Sequence, residues 1–186
     1  MTKSTLLRIA NLFTTMAQMP ELVEQIEILA NTILSAHKAG GKVIIFGNGG
    51  SAAEAQHFAA ELIVKYSKLR EPIAAITLDA AATLTAIGND FGFESSFIRQ
   101  IRALAKPEDV VIGISTSGKS TNVLAAMKLA CGNANTVLLT GGGADLLDLA
   151  GLGLVIAIPE TETARIQEAH LAIIHIVCDI LDCRIG

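Results

Sequence analysis

Five short apolar runs, at residues 43–46, 73–78, 110–114, 136–139 and 154–158, alternate along the chain with longer stretches of helical periodicity. Runs that are apolar throughout, and not only at every second residue, predict strands buried on both faces, and intervening helices make successive strands parallel. The alternation confines the chain to an α/β fold: a three-layer sandwich with a five-stranded parallel sheet flanked by helices. The predicted helices of this region cover 51–67, 91–105, 120–131, a short piece near 145–150, and 161 to about 183. Two more precede the first strand, at 4–17 and 21–38, with Pro20 as a first-turn residue and Gly40-Gly41 as the stop.

Open parallel sheets bind ligands beyond the carboxyl ends of their strands, so the loops there carry the functional signal. After the first strand comes Gly47-Asn48-Gly49-Gly50-Ser51. Its glycines let backbone amides approach an anion at a helix start, but turns of this kind also serve simply to reverse the chain, and both readings stay open. The turn matches neither a dinucleotide fingerprint nor a P-loop. After the third strand comes Ser115-Thr116-Ser117-Gly118-Lys119-Ser120. Capping a helix needs one hydroxyl; four beside a glycine fit a cradle for a phosphate monoester.

The length of 186 residues fits one domain spanning 1–186, with 1–40 as helices for oligomer packing and 41–186 as the α/β core. Hydrophobic residues make up 51% and charged ones 17%, and Leu22, Val23, Ile26, Ile28, Leu29, Ile33 and Leu34 cover more than half of the second helix's circumference. A homo-oligomer buries such surface. A net charge of -4, no tryptophan and the single tyrosine Tyr66 argue against nucleic acid as a partner. No apolar run approaches the roughly 18 residues of a membrane span, and the first residues lack a signal-peptide pattern, so a cytoplasmic protein is expected. Cys131, Cys178 and Cys183 form no C-x-x-C pair and read as core thiols.

Four motifs occur in order: G-N-G-G-S at 47–51, G-N-D-F-G-F at 88–93, G-I-S-T-S-G at 113–118 and R-I-Q-E at 165–168. Together they resemble the sugar isomerase (SIS) domain family, and specifically its phosphoheptose isomerase branch, over essentially the whole chain. The resemblance implies an aldose-ketose isomerase that converts sedoheptulose 7-phosphate to D-glycero-D-manno-heptose 7-phosphate through an enediol, supplying heptose for bacterial surface polysaccharide. It implies Glu61 and His175 as the catalytic pair. It also implies sugar-phosphate contacts from Asn48, Gly49, Gly50, Ser51, Glu61, Asn89, Asp90, Ser115, Thr116, Ser117, Ser120 and Gln167. Zinc held by His57, Glu61, Gln167 and His175 is implied as cofactor, and a homotetramer whose subunits share their sites as the assembly.

Spacing is compatible with these roles. His57 and Glu61 stand at i and i+4, and Gln167 and His175 eight apart, so each pair shares a helix face. His170 and His37 take structural readings, and Arg165 is open to either a ligand or an ordinary ion pair. Two positions depart from the family pattern: Lys65 where arginine is common, and Ala164 where aspartate is common. The main alternative is a non-enzymatic SIS protein that binds a partner, of the type associated with the replication initiator. That branch lacks the matching Glu and His.

Overall fold

The computed structural model describes residues 1–185; Gly186, the last residue of the expected domain, lies outside them. Helices α1 (Thr2–Ala17) and α2 (Pro20–Lys38) come first, followed by β1 (Val43–Gly47), α3 (Gly50–Ile63), β2 (Ala75–Thr77), α4 (Ala81–Phe91) and α5 (Ile98–Leu104). The chain continues through β3 (Val110–Ser115), α6 (Thr121–Ala130), β4 (Asn135–Gly141), β5 (Leu154–Ile158) and α7 (Thr163–Ile185).

The five strands pair in the order β2-β1-β3-β4-β5, parallel throughout. Alternation along each strand feeds two cores. Val43, Ile45, Ile112 and Leu139 face one side, where α1, α2, α3 and α7 supply Leu12, Leu29, Phe58 and Ile173. Ile44, Phe46, Val111 and Leu138 face the other, against Phe97 and Ile101 beside and within α5 and Met127 of α6. Burying each such side chain contributes roughly 1.5–3 kcal/mol, so the layer order follows from the strand pattern. Strand order reverses between β1 and β3, and at such a switch point the loops leaving the two strands diverge and open a crevice.

Four local expectations are corrected. Helix α3 ends at Ile63 and not at 67, because the Arg70 guanidinium and the Ile73 amide take its last carbonyls and turn the chain away; Lys65 therefore lies beyond the helix. The single helix expected over 91–105 is two helices and a 3₁₀ turn (Phe93–Ser95): α4 begins ten residues earlier, at Ala81, and is stopped by Gly92 at φ 82°, a left-handed conformation that favours glycine. Residues 145–150 form turns and not a helix, since the Asp145 carboxylate takes the Leu147 amide in an Asx turn. Of the three free thiols only Cys178 is buried; Cys131 is half-buried beyond the end of α6, and Cys183 is exposed on the outward side of the last turn of α7.

Candidate active site

The loops after β1 and β3 are joined across the switch point by side-chain amides. Asn48 donates to Asn122 Oδ1 at 2.9 Å, and Asn122 donates back to Asn48 Oδ1 at 3.0 Å. Asn122 is buried in the first turn of α6, and its Oδ1 also accepts the Val123 amide at 2.9 Å. One donor and one acceptor site of the Asn48 amide thereby hold the glycine turn, whose Gly49 and Gly50 stay exposed at the start of α3.

The hydroxyl loop is left available in the same way. Ser120 is the N-cap residue of α6 but makes no side-chain cap bond; its hydroxyl instead takes a hydrogen bond from Ser115 at 3.0 Å. Gly118 sits at φ 64°, and a Cβ there would overlap Ala144, so the turn requires glycine. Ser117 accepts the Lys119 amide at 3.2 Å, while Ser117 is exposed and Thr116 half-buried. Ser51, at the other loop, is buried in the first turn of α3. Hydroxyls and helix-start amides gathered in this way suit a phosphate monoester.

Helices α3 and α7 lie side by side, and their polar faces meet. The Nε2 atoms of His57 and His175 are 2.8 Å apart, and Glu61 Oε1 is 3.8 Å from His57 Nε2. A hydrogen bond between two imidazole nitrogens requires one to donate and one to accept, so a single proton lies between the rings. The side chains of His57 and Glu61 are 38% and 23% exposed, which leaves both open to a ligand. A carboxylate and two hydrogen-bonded imidazoles thus stand close together, a set of the kind that can remove and return protons.

Gln167 occupies the opposite end of this helix pair. Its side-chain amide lies against Gly50, where a Cβ would overlap it. By helical rise that contact is roughly 10 Å along α3 from His57, so Gln167 stands with the glycine turn. Asn89 and Asp90 lie at the exposed end of α4 and bond to each other at 2.8 Å. Arg165 pairs with Glu168 at 2.5 Å, which gives it an ordinary ion-pair partner. Among the described residues no three His, Cys, Asp or Glu side chains are gathered into a ready metal-ligand set.

The SIS domain family model matches residues 9–140. Relatives named phosphoheptose isomerase align over most of the chain: one from Campylobacter jejuni is 51% identical over 162 residues, covering 85% of this chain and 86% of the relative. The chain belongs to the phosphoheptose isomerase branch of the SIS family. A second phosphoheptose isomerase, from Citrifermentans bemidjiense, is 46% identical over 165 residues, covering 87% of this chain and 85% of its own. The solved phosphoheptose isomerase from Neisseria gonorrhoeae superposes with a TM-score of 0.89 at 37% identity, covering 98% of this chain and 97% of that one.

Against that SIS framework, several residues at the site carry no motif of their own. Asn122 is one. Glu54 and His170 are another pair: His170 donates from Nε2 to the Thr140 carbonyl at 3.2 Å and turns Nδ1 toward Glu54 Oε2, 3.6 Å away, in the space between α3 and α7. His170 is fully buried, in keeping with a structural role, and its partner Glu54 is 8% exposed. The ring of Tyr66 stacks on His175 at 5.3 Å between centroids with 27° between planes. Sequence held one signal for Glu54, its place one turn before His57 on the same helix face; for Tyr66 it held only that it is the chain's single tyrosine.

Proposed function

We propose that this chain isomerises sedoheptulose 7-phosphate to D-glycero-D-manno-heptose 7-phosphate, with Glu61 and His175 moving the proton. The observation that carries this reading is the meeting of Glu61, His57 and His175 across α3 and α7, on the fold of the phosphoheptose isomerases. The hydroxyls of Ser51, Ser115, Thr116, Ser117 and Ser120 take the phosphate, and Asn48, Gly49, Gly50, Asn89, Asp90 and Gln167 the sugar. Remote binding of the phosphate fixes where C1 and C2 stand relative to the acid-base groups.

Glu61 removes a proton from C1 while His175 gives a proton to the C2 oxygen, giving a cis-enediol. His175 takes the proton from the C1 oxygen, and Glu61 returns its own proton to C2, forming the aldose. Each group contributes about 10²- to 10⁴-fold in rate. The hydrogen bond between His175 and His57 gives the imidazole a second partner with which to exchange its proton.

The donor types of His57, Glu61 and His175 fit zinc, two imidazole nitrogens and a carboxylate oxygen being its usual ligands. These three residues would hold the ion; Gln167, the further donor the family resemblance implies, stands apart from them with the glycine turn. When bound, zinc polarises a sugar oxygen. Because it would occupy the same side chains, bound metal and free acid-base action compete. The reading extends to a cytoplasmic homotetramer with shared sites and to heptose destined for surface polysaccharide. An apolar groove of ≈ 280 Å³ between α1, α2 and α7, lined by Phe13, Val23 and Ile176, supports packing against further subunits.

Exchange of the C1 proton of sedoheptulose 7-phosphate with solvent, followed with and without zinc, tests the proposal. Glu61→Gln and His175→Ala should each abolish exchange and leave phosphate-sugar binding intact; near-normal exchange in either variant removes that residue from the mechanism. His57→Ala should abolish zinc retention, read by elemental analysis. Zinc retained in that variant, or none in the parent, removes the metal.

A further inference from the structure

Behind the proton-moving pair lies a buried ion pair that neither motif reading nor family likeness assigns. The Arg70 and Asp182 side chains are both 0% exposed and meet at 2.7 Å, Nε to Oδ1. Arg70 spends its remaining donors on the end of α3. Nη2 donates to the Glu61 carbonyl at 2.9 Å, and Nη1 to the carbonyls of Leu62 at 2.9 Å and Glu71 at 3.1 Å. The carbonyls at a helix end lack intrahelical partners, so the guanidinium acts as the C-terminal cap of the turn that carries Glu61.

Asp182 divides its two oxygens between the same guanidinium and the connecting loop. Its Oδ2 accepts the amides of Ser67 at 2.7 Å and Lys68 at 2.8 Å, and the Ser67 hydroxyl at 3.4 Å. Those amides follow directly on Tyr66, the ring that stacks on His175. Asp182 stands on α7 seven residues, about two turns, beyond His175. One carboxylate therefore fixes, through a single set of bonds, the backbone of Glu61, the ring against His175, and the helix from which His175 projects.

We propose that Arg70 and Asp182 are positioning residues for the isomerisation, and that they act through Tyr66 and the end of α3 to hold Glu61 and His175 in register. The inference rests on the reading of Glu61 and His175 as the proton-moving pair. Neither Arg70 nor Asp182 touches the sugar; both act through other residues. Lysine would not replace Arg70, because an ammonium lacks the planar fork that reaches a carboxylate and two carbonyls together.

The test compares Asp182→Asn, Arg70→Lys, Tyr66→Leu and Tyr66→Phe with the parent, each in the native assembly and well below its unfolding temperature. Two readouts are taken per folded site: kcat and KM for the ketose phosphate, and the signal of the His175 ring in carbon-13-labelled histidine, which senses the stacked Tyr66. Displacement of a reacting group by about an ångström costs on the order of 10²-fold in rate. Asp182→Asn, Arg70→Lys and Tyr66→Leu should lower kcat about 10- to 100-fold with KM within about twofold, and shift the His175 signal. Tyr66→Phe keeps the ring and should match the parent in both.

If Asp182→Asn or Arg70→Lys fails to fold, Tyr66→Leu, whose half-buried ring is no part of the ion pair, still decides. Loss of stability with kcat and the His175 signal unchanged would make the network purely structural and overturn the proposal. A shifted signal with unchanged kcat overturns it as well. Glu61→Gln and His175→Ala run alongside: if they are inactive while the positioning variants are normal, the inference alone fails; if they are active, the reading of the pair fails and takes the inference with it.

Discussion

Cys178 follows His175 by three residues on α7 and faces the core. Burial, with the negative charge of Glu61 adding to it, pushes its thiol up to about 12. Only a thiolate reacts readily, so Cys178 should resist maleimide at pH 8 while exposed Cys183 is labelled. Peptide mapping checks this, with Cys178 modified only after denaturation; rapid labelling in the native state would show that α7 opens beside the site. At this scale sequence pointed to the hydroxyls by their loop and, through the family resemblance alone, to Glu61 and His175. It did not carry Arg70 and Asp182, because their meaning arises only when positions 112 apart are brought within 2.7 Å. An arginine in a loop and an aspartate near a helix end look like solvated charges until the fold buries both.

Elements whose pattern is set by burial on both faces were legible. The five strands fall where the apolar runs place them, within two residues at each end. Elements whose ends are set by distant partners were not. Helix α3 stops where Arg70 caps it, and α4 forms over a segment whose Gly88 and Asn89 suggest a loop, stopping only where Gly92 takes a positive φ. The seam between the β1 and β3 loops belongs to the same class. Asn122→Ala removes both bonds to Asn48 and should free the glycine turn. With a net value of about 1 kcal/mol for each bond, KM should rise on the order of 10-fold while kcat changes less. Steady-state kinetics on the ketose phosphate measure it, and an unchanged KM would mean that the turn is held without the seam.

For the molecule as a whole, acid is the condition that the buried polar network resists least. Burial alone would raise the Asp182 carboxyl, but the amides of Lys68 and Ser67 and the Arg70 guanidinium outweigh it and hold the group below its usual range. Burial also opposes ionisation of Asp79, where hydrogen bonds from Thr77 and Gln56 prevail. A depressed folded-state pKa contributes stability that is complete above the unfolded value, about 3.9, and is lost as pH falls through the folded one. The unfolding temperature should therefore be flat from neutrality to about pH 5 and fall steeply below about pH 4, less steeply in Asp182→Asn. Calorimetry across that range checks the sign, with native mass at each pH reporting whether subunits part before they unfold.

The two imidazoles that share a proton stand 118 positions apart, one on the first helix of the α/β core and the other on the last. All five strands are complete by Ile158, and His175 comes only afterwards. On the ribosome, then, every strand is made while the second imidazole is still missing, together with the Ile173 and Val177 that α7 adds to the core. A chain made only as far as Ile158 would therefore lack the imidazole on which the proposed proton transfer depends.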